Sequence, residues 1–205
     1  MSNESLNNGG AFERVTKLAR RVFLDTNVIQ NLSSFSSLMC DNFMDDEEYE
    51  KFDTLDSETK ADIEALPSVF QIAQRASFEF VTSPLSVVEF SGIANLKKKH
   101  TLVRWGCELL DYCMTRMEDH KFISLEGISV GRGVRLYNSG LLDFLPDEMD
   151  RKLVSESVGL ECDSFMTMDR RSIWVYRDRL NKLGITILRP SEYWVLLRPW
   201  AALFY

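Results

Sequence analysis

Short apolar runs of β-compatible residues alternate with amphipathic segments along this chain, and that alternation restricts the fold more than any other feature. VFL at 22–24, SFEFV at 77–81, KFISL at 121–125, FMTM at 165–168 and ITIL at 185–188 read as strands. Between them lie helical patterns: after Thr26-Asn27, in SVFQIAQRA, from Ser83-Pro84 onward, in LVRWGCELLDYCMTRM, from Pro146 through Leu160, and in YRDRLNKLG up to Gly184. Ser83 with Pro84 behind it is a strong helix start, since the serine hydroxyl caps and the proline ring presets φ. The helix beginning there is expected to carry Leu85, Val88, Glu89, Ile93 and Leu96 at helical spacing and to end in Lys97, Lys98 and Lys99. Strands separated by helices at this spacing predict an α/β fold, a three-layer α/β/α sandwich around a mostly parallel sheet.

A chain of 205 residues suits one core with an elaboration. Residues 1–18 are polar with Gly9-Gly10 and read as a tail, residues 19–197 as the domain, and residues 198–205 as an apolar C-terminal tail. That last stretch, with WVLLRP before it, is expected to dock on the domain or to form a homodimer contact.

The formal net charge of −7 argues at first against a nucleic-acid ligand, because phosphate binding relies on Lys and Arg. The charge is concentrated, however. Residues 41–64 hold 11 acidic and two basic side chains, leaving 22 of the 24 basic and 20 of the 31 acidic residues for the remainder. The acidic stretch reads as an insertion on a near-neutral body, and an anionic partner elsewhere on the surface stays open.

Cys40, Cys107, Cys113 and Cys162 make no Cys-x-x-Cys pair and read as reduced, mostly buried thiols. Neither a signal peptide nor an apolar run of roughly 18 residues is present, so no membrane partner and a cytoplasmic location are expected.

Four acids stand where an α/β sheet displays its ligands, beyond the carboxyl ends of the strands. Asp25 closes the first strand and Asp169 the strand FMTM. Glu89, four residues from both Leu85 and Ile93, falls within an apolar helical stripe, where a carboxylate needs a partner, a proton or a cation. Asp150, followed by Val154 and Ser157 on its face, opens another helix, with Asp147 one turn earlier as competitor. Taken singly, Asp25 is as good a helix cap as a ligand, Asp169 suits a turn, and Asp150 suits a first-turn acid. Four acids converging on one edge repel one another unless hard cations intervene, which suits Mg²⁺ or Mn²⁺.

These motifs together resemble the PIN-domain ribonucleases of the VapC-like, PilT N-terminus type. The resemblance rests on FLDTNV, the Glu of SPLSVVEF, the Asp of DRKLVSESVGLECD and the closing FMTMDRR. Asp150, Ser157, Cys162-Asp163, Phe165, Thr167 and Asp169 follow the family pattern Asp…Gly-Cys-Asp-x-Phe-Leu-Thr-x-Asp, and its order favours Asp150 over Asp147. It spans roughly residues 20–195. Glu161 replaces the usual Gly, Ser157 the usual Ala, and the interval from Asp25 to Glu89 is extended by the acidic segment.

The resemblance implies a metal-dependent endoribonuclease with a PIN-like fold. Asp25, Glu89, Asp150 and Asp169 would be its catalytic metal ligands for Mg²⁺ or Mn²⁺, and Thr26, Asn27 and Thr167 would support those carboxylates. Lys97, Lys98, Lys99, Arg170 and Arg171 would meet the RNA backbone. It further implies the toxin of a toxin–antitoxin pair, with a protein antitoxin as partner. The alternative is a PIN-like RNA-binding or scaffold module with little or no hydrolysis. A phosphatase of another α/β fold would want Asp-x-Asp after the first strand, and Asp25-Thr26-Asn27 lacks the second Asp. The acidic segment is expected to cover the sheet edge and compete with RNA for the basic rim.

Overall fold

A computed structural model describes residues 18–76, 78–116 and 131–203. Four strands, β1 (Arg21–Leu24), β2 (Glu79–Val81), β3 (Ser164–Met166) and β4 (Thr186–Leu188), form one sheet in the order β2-β1-β3-β4. Every pairing is parallel, with Val22 opposite both Phe80 and Ser164, and Phe165 opposite Ile187. The chain steps from β1 to one neighbour and later returns to the other side, so the topology reverses between β1 and β3. Such a reversal opens a crevice at the carboxyl ends of the two strands. The expected strand KFISL lies outside the described residues, as do residues 1–17 of the expected N-terminal tail.

Ten α-helices lie among the described residues. They are α1 (Thr26–Ser34), α2 (Ser36–Asp41), α3 (Asp46–Asp53), α4 (Ser57–Arg75), α5 (Pro84–Ser91), α6 (Leu96–Arg116), α7 (Arg132–Asn138), α8 (Glu148–Gly159), α9 (Arg177–Lys182) and α10 (Pro190–Leu197). The pleat of β1 sends alternate side chains to opposite faces. Val22 and Leu24 join Ile29 of α1, Leu66 and Val69 of α4, Leu102 of α6 and Tyr193 of α10 in one core. Phe23 joins Phe165, Val154 of α8, Leu180 of α9 and Ile187 in the other, with the Phe23 and Phe165 rings stacked at 5.2 Å between centroids. Helices therefore cover both sheet faces, an arrangement compatible with three α/β/α layers.

The expected continuous helix from Pro84 to the lysines is two helices. Ser83 does cap α5, accepting from the Leu85 amide at 3.1 Å. Yet α5 ends at Ser91, and α6 starts afresh where the Lys98 amide donates to Asn95 Oδ1 at 3.0 Å. Asn95 is a good cap because its short side-chain carbonyl satisfies an amide that has no partner within the helix. Leu85 and Phe90 are the apolar residues α5 buries, one into each core.

The acidic stretch is ordered as α3 and the first half of α4, each opened by an aspartate: Asp45 accepts from the Glu48 amide and Asp56 from the Glu58 and Thr59 amides. Part of the C-terminal tail docks on its own chain, where Arg198–Leu203 forms a 3₁₀ turn and Ala201 enters the core beside Leu197. Cys40 and Cys107 are exposed, so the expectation of mostly buried thiols fails for these two, whereas Cys162 packs against the core and burial pushes its thiol pKa up. Among the described residues no helix is long and apolar enough to cross a membrane.

Candidate functional site

Asp25 leaves β1 at the topological reversal and is nearly inaccessible, 3% exposed. Its backbone carbonyl opens α1, accepting from Val28 and Ile29, but its carboxylate does little as a cap and takes only the Thr26 amide, at 2.7 Å on Oδ1. Oδ2 instead accepts from Thr167 Oγ1 at 2.6 Å and from Asn27 Nδ2 at 2.7 Å. Asn27 Oδ1 in turn accepts from the Met168 amide at 2.8 Å, so α1 is stitched to the chain leaving β3. Burial pushes the Asp25 carboxyl up to about 7 against the pull of the Thr167 hydrogen bond, and the nearby Asp150 and Glu89 charges push the same way.

Glu89 does not sit in a buried stripe. The residue as a whole is exposed at the rim of α5, because the buried face of that helix runs through Leu85, Ser86 and Phe90. Only its carboxyl end turns inward, where Oε2 accepts from Thr26 Oγ1 at 2.7 Å. Local burial raises its pKa, and the charges of Asp147 and Asp169 add to the rise.

Asp150 is half-buried in the first turn of α8. Burial pushes its carboxyl up to about 6, opposed by a hydrogen bond with Ser172, with Asp147, Asp169 and Glu89 all raising it further. Asp147 is exposed and caps α8, accepting from the Met149 amide at 2.8 Å. Its place at the rim and its capping bond leave Asp150 as the inward acid of the pair.

Asp169 lies three residues beyond the end of β3 rather than on the strand, since pairing stops at Met166. It is held in a turn: its amide donates to Thr167 Oγ1 at 2.9 Å, and its carboxylate accepts from the Arg171 and Ser172 amides and from Ser172 Oγ at 2.9 Å. Ser172 had no signal in the sequence, yet its hydroxyl serves both Asp169 and Asp150.

The four sequence-selected acids are thus near enough to perturb one another, together with Thr26, Asn27 and Thr167. Among the described residues no Lys or Arg forms an ion pair with any of the four. Nor is any group of three His, Cys, Asp or Glu side chains among the described residues arranged as a ready set of metal ligands. The donor chemistry nevertheless suits a hard divalent cation: oxygen atoms only, a buried carboxylate at the centre, and like charges with no Lys or Arg paired to them among the described residues.

The basic candidates divide. Arg171 is exposed beside the cluster. Arg170 is not presented to solvent as a free cation, because Asp56 and Glu58 of the acidic segment hold its guanidinium at 2.5 and 2.7 Å. Lys97 and Lys98 are exposed at the start of α6 and line a cleft of about 520 Å³ with Asp45, Glu47 and Lys51, while Lys99 is half-buried. None of the four acids lines that cleft, so the lysines face the acids of α3.

No protein-family model, curated protein or solved structure matches the chain. The geometry defines a mixed α/β protein with a parallel four-stranded sheet and a carboxylate cluster at its switch point.

Proposed function

We propose that the chain is a PIN-like, metal-dependent endoribonuclease whose Asp25, Glu89, Asp150 and Asp169 hold Mg²⁺ or Mn²⁺. The observation that carries this reading is the buried Asp25 carboxylate, raised toward neutrality beside Asp150 and Glu89 with no Lys or Arg paired to it among the described residues. Asp25, Glu89, Asp150 and Asp169 would hold the divalent ion, which would supply the missing positive charge, polarisation of the scissile phosphate and a more acidic water for attack.

The protein's own part is orientation. Thr167 and Asn27 fix one Asp25 oxygen and the Thr26 amide the other, so the carboxylate cannot rotate. Thr26 Oγ1 fixes Glu89, and Ser172 holds Asp169 against Asp150. Exposed Arg171 offers a cation to an RNA phosphate at the rim.

The other reading, a PIN-like RNA-binding or scaffold module, draws on one observation: Asp25 and Asp169 are fully engaged by hydroxyls and amides of the chain. Incubating a mixed RNA pool with Mg²⁺ or Mn²⁺ and either wild type or Asp25→Asn separates the two. Cleavage by wild type alone supports the nuclease, equal cleavage by both refutes the assigned site, and RNA binding without cleavage supports the module.

A further inference from the structure

Arg170 directly follows Asp169, and its guanidinium already carries anions. Nη1 donates to Glu58 Oε2 at 2.7 Å, and Nη2 to Asp56 Oδ2 at 2.5 Å and Thr59 Oγ1 at 3.1 Å. Glu58 Oε2 is shared with Arg189, whose Nη1 lies 2.8 Å away, and Arg189 also holds Asp62 through Nε and Nη2 at 2.8 and 2.6 Å.

The two layers of this network differ in burial. The Arg189 and Asp62 side chains are 9% and 2% exposed, so opening that pair would strand a charge inside the protein. Arg170, Asp56 and Glu58 are 33%, 51% and 60% exposed, so the carboxylates regain water on release and the outer pairs are readily exchanged. The inner pair anchors α4 while the outer one is open to competition. Two carboxylate oxygens on adjacent guanidinium nitrogens occupy the places that two non-bridging oxygens of one phosphodiester would take.

We propose that Arg170 is a phosphodiester subsite for single-stranded RNA approaching the carboxylate edge, and that Asp56 and Glu58 are its resident competitors. The proposal rests on the nuclease reading and deepens it by assigning to two carboxylates the opposition expected of the whole acidic segment. A backbone phosphate displaces Asp56 and Glu58 from Arg170 while Arg189 and Asp62 keep α4 in place. Asp56→Asn leaves a capping side chain at the start of α4, and Glu58→Gln leaves the buried Arg189–Asp62 pair intact.

The test is anisotropy of a fluorescein-labelled single-stranded RNA of mixed sequence, titrated with the full chain with Ca²⁺ in place of Mg²⁺. The Asp56→Asn/Glu58→Gln protein is expected to bind on the order of threefold tighter than wild type, the scale of exposed ion pairs. Adding Arg170→Gln should abolish the gain. The Glu50→Gln/Glu64→Gln protein, with the same change in charge away from Arg170, should gain less. An equal gain in that control, or a gain that survives loss of Arg170, overturns the proposal. Equal binding by all variants overturns the subsite and leaves the nuclease reading standing, whereas no binding by any of them overturns both.

Discussion

Ser172 Oγ lies 2.9 Å from Asp169 Oδ2 and donates to it, while the same oxygen is a hydrogen-bond partner of Asp150. A hydroxyl has one proton to give, so Ser172 sits between two carboxylates that repel one another, and its bond to Asp150 pulls that carboxyl's pKa down against the rise caused by burial. Ser172→Ala should cut the link without removing an acid. Mn²⁺ affinity by calorimetry is expected to fall on the order of tenfold, as for other partners of metal-binding carboxylates. Unchanged affinity and unchanged RNA cleavage would deny Ser172 this role.

The raised carboxyls predict an unusual pH dependence for the metal-free protein. Asp25 ordinarily titrates at 3.8 and in the fold at about 7, so the folded state holds the proton more tightly than the unfolded state does. The stability this contributes is complete at acid pH and is lost as pH rises from about 4 to about 7. Asp150 acts in the same direction between about 4 and about 6. With chelator present, the melting temperature of wild type should decline across that window more steeply than that of Asp25→Asn, and Mn²⁺ should reverse the difference. Parallel profiles for the two proteins would contradict it.

Arg189→Met removes the guanidinium that faces Asp62, whose residue is 1% exposed. Ser191 alone would then serve the buried carboxylate. Denaturant unfolding should register a loss of about 3–5 kcal/mol, the range for stranding one member of a buried pair. A loss below about 1 kcal/mol, the range of surface pairs, would show the pair to be dispensable.

Glu161 occupies a left-handed conformation with φ 55°. A side chain with a Cβ is disfavoured there by about 1–2 kcal/mol and glycine is not, which gives a physical reason for the glycine at that place in the pattern the chain resembles. Glu161→Gly is therefore expected to raise stability by up to about 1 kcal/mol in the same unfolding assay, the gain being reduced by the greater freedom of glycine in the unfolded chain. A fall in stability would point to a contact of the Glu161 side chain that outweighs the strain.

What could be read from the residues followed how local each signal is. An apolar run closed by Asp25-Thr26-Asn27 announces both the strand and the polar switch point, because pleat and cap are set by neighbours in sequence. Thr167 and Asp169 were visible for the same reason. Glu89 comes near the other acids without the buried stripe expected of it: a helix continuing past Gly92 would turn that face inward, whereas only the carboxyl end of Glu89 does so. The Gly92 and Asn95 punctuation carried that information. Ser172 was invisible because its hydroxyl matters only once the turn after Asp169 has closed. Arg170 looked like a basic rim because its partners are more than 110 positions away in the chain and meet it only through the docking of α4.

The bond between Thr167 and Asp25 spans 142 positions. During synthesis, β1 emerges long before β3, and the nascent chain carries Asp25 without the hydroxyl that fixes it, the amide that orders Asn27 or the acids of α8 and the Asp169 turn. The cluster therefore cannot assemble until the chain has been made as far as the turn that holds Asp169. A chain cut short just before Thr167 keeps Asp25, Glu89 and Asp150 but no assembled centre, so the order of translation itself withholds the site until the turn after β3 has been made.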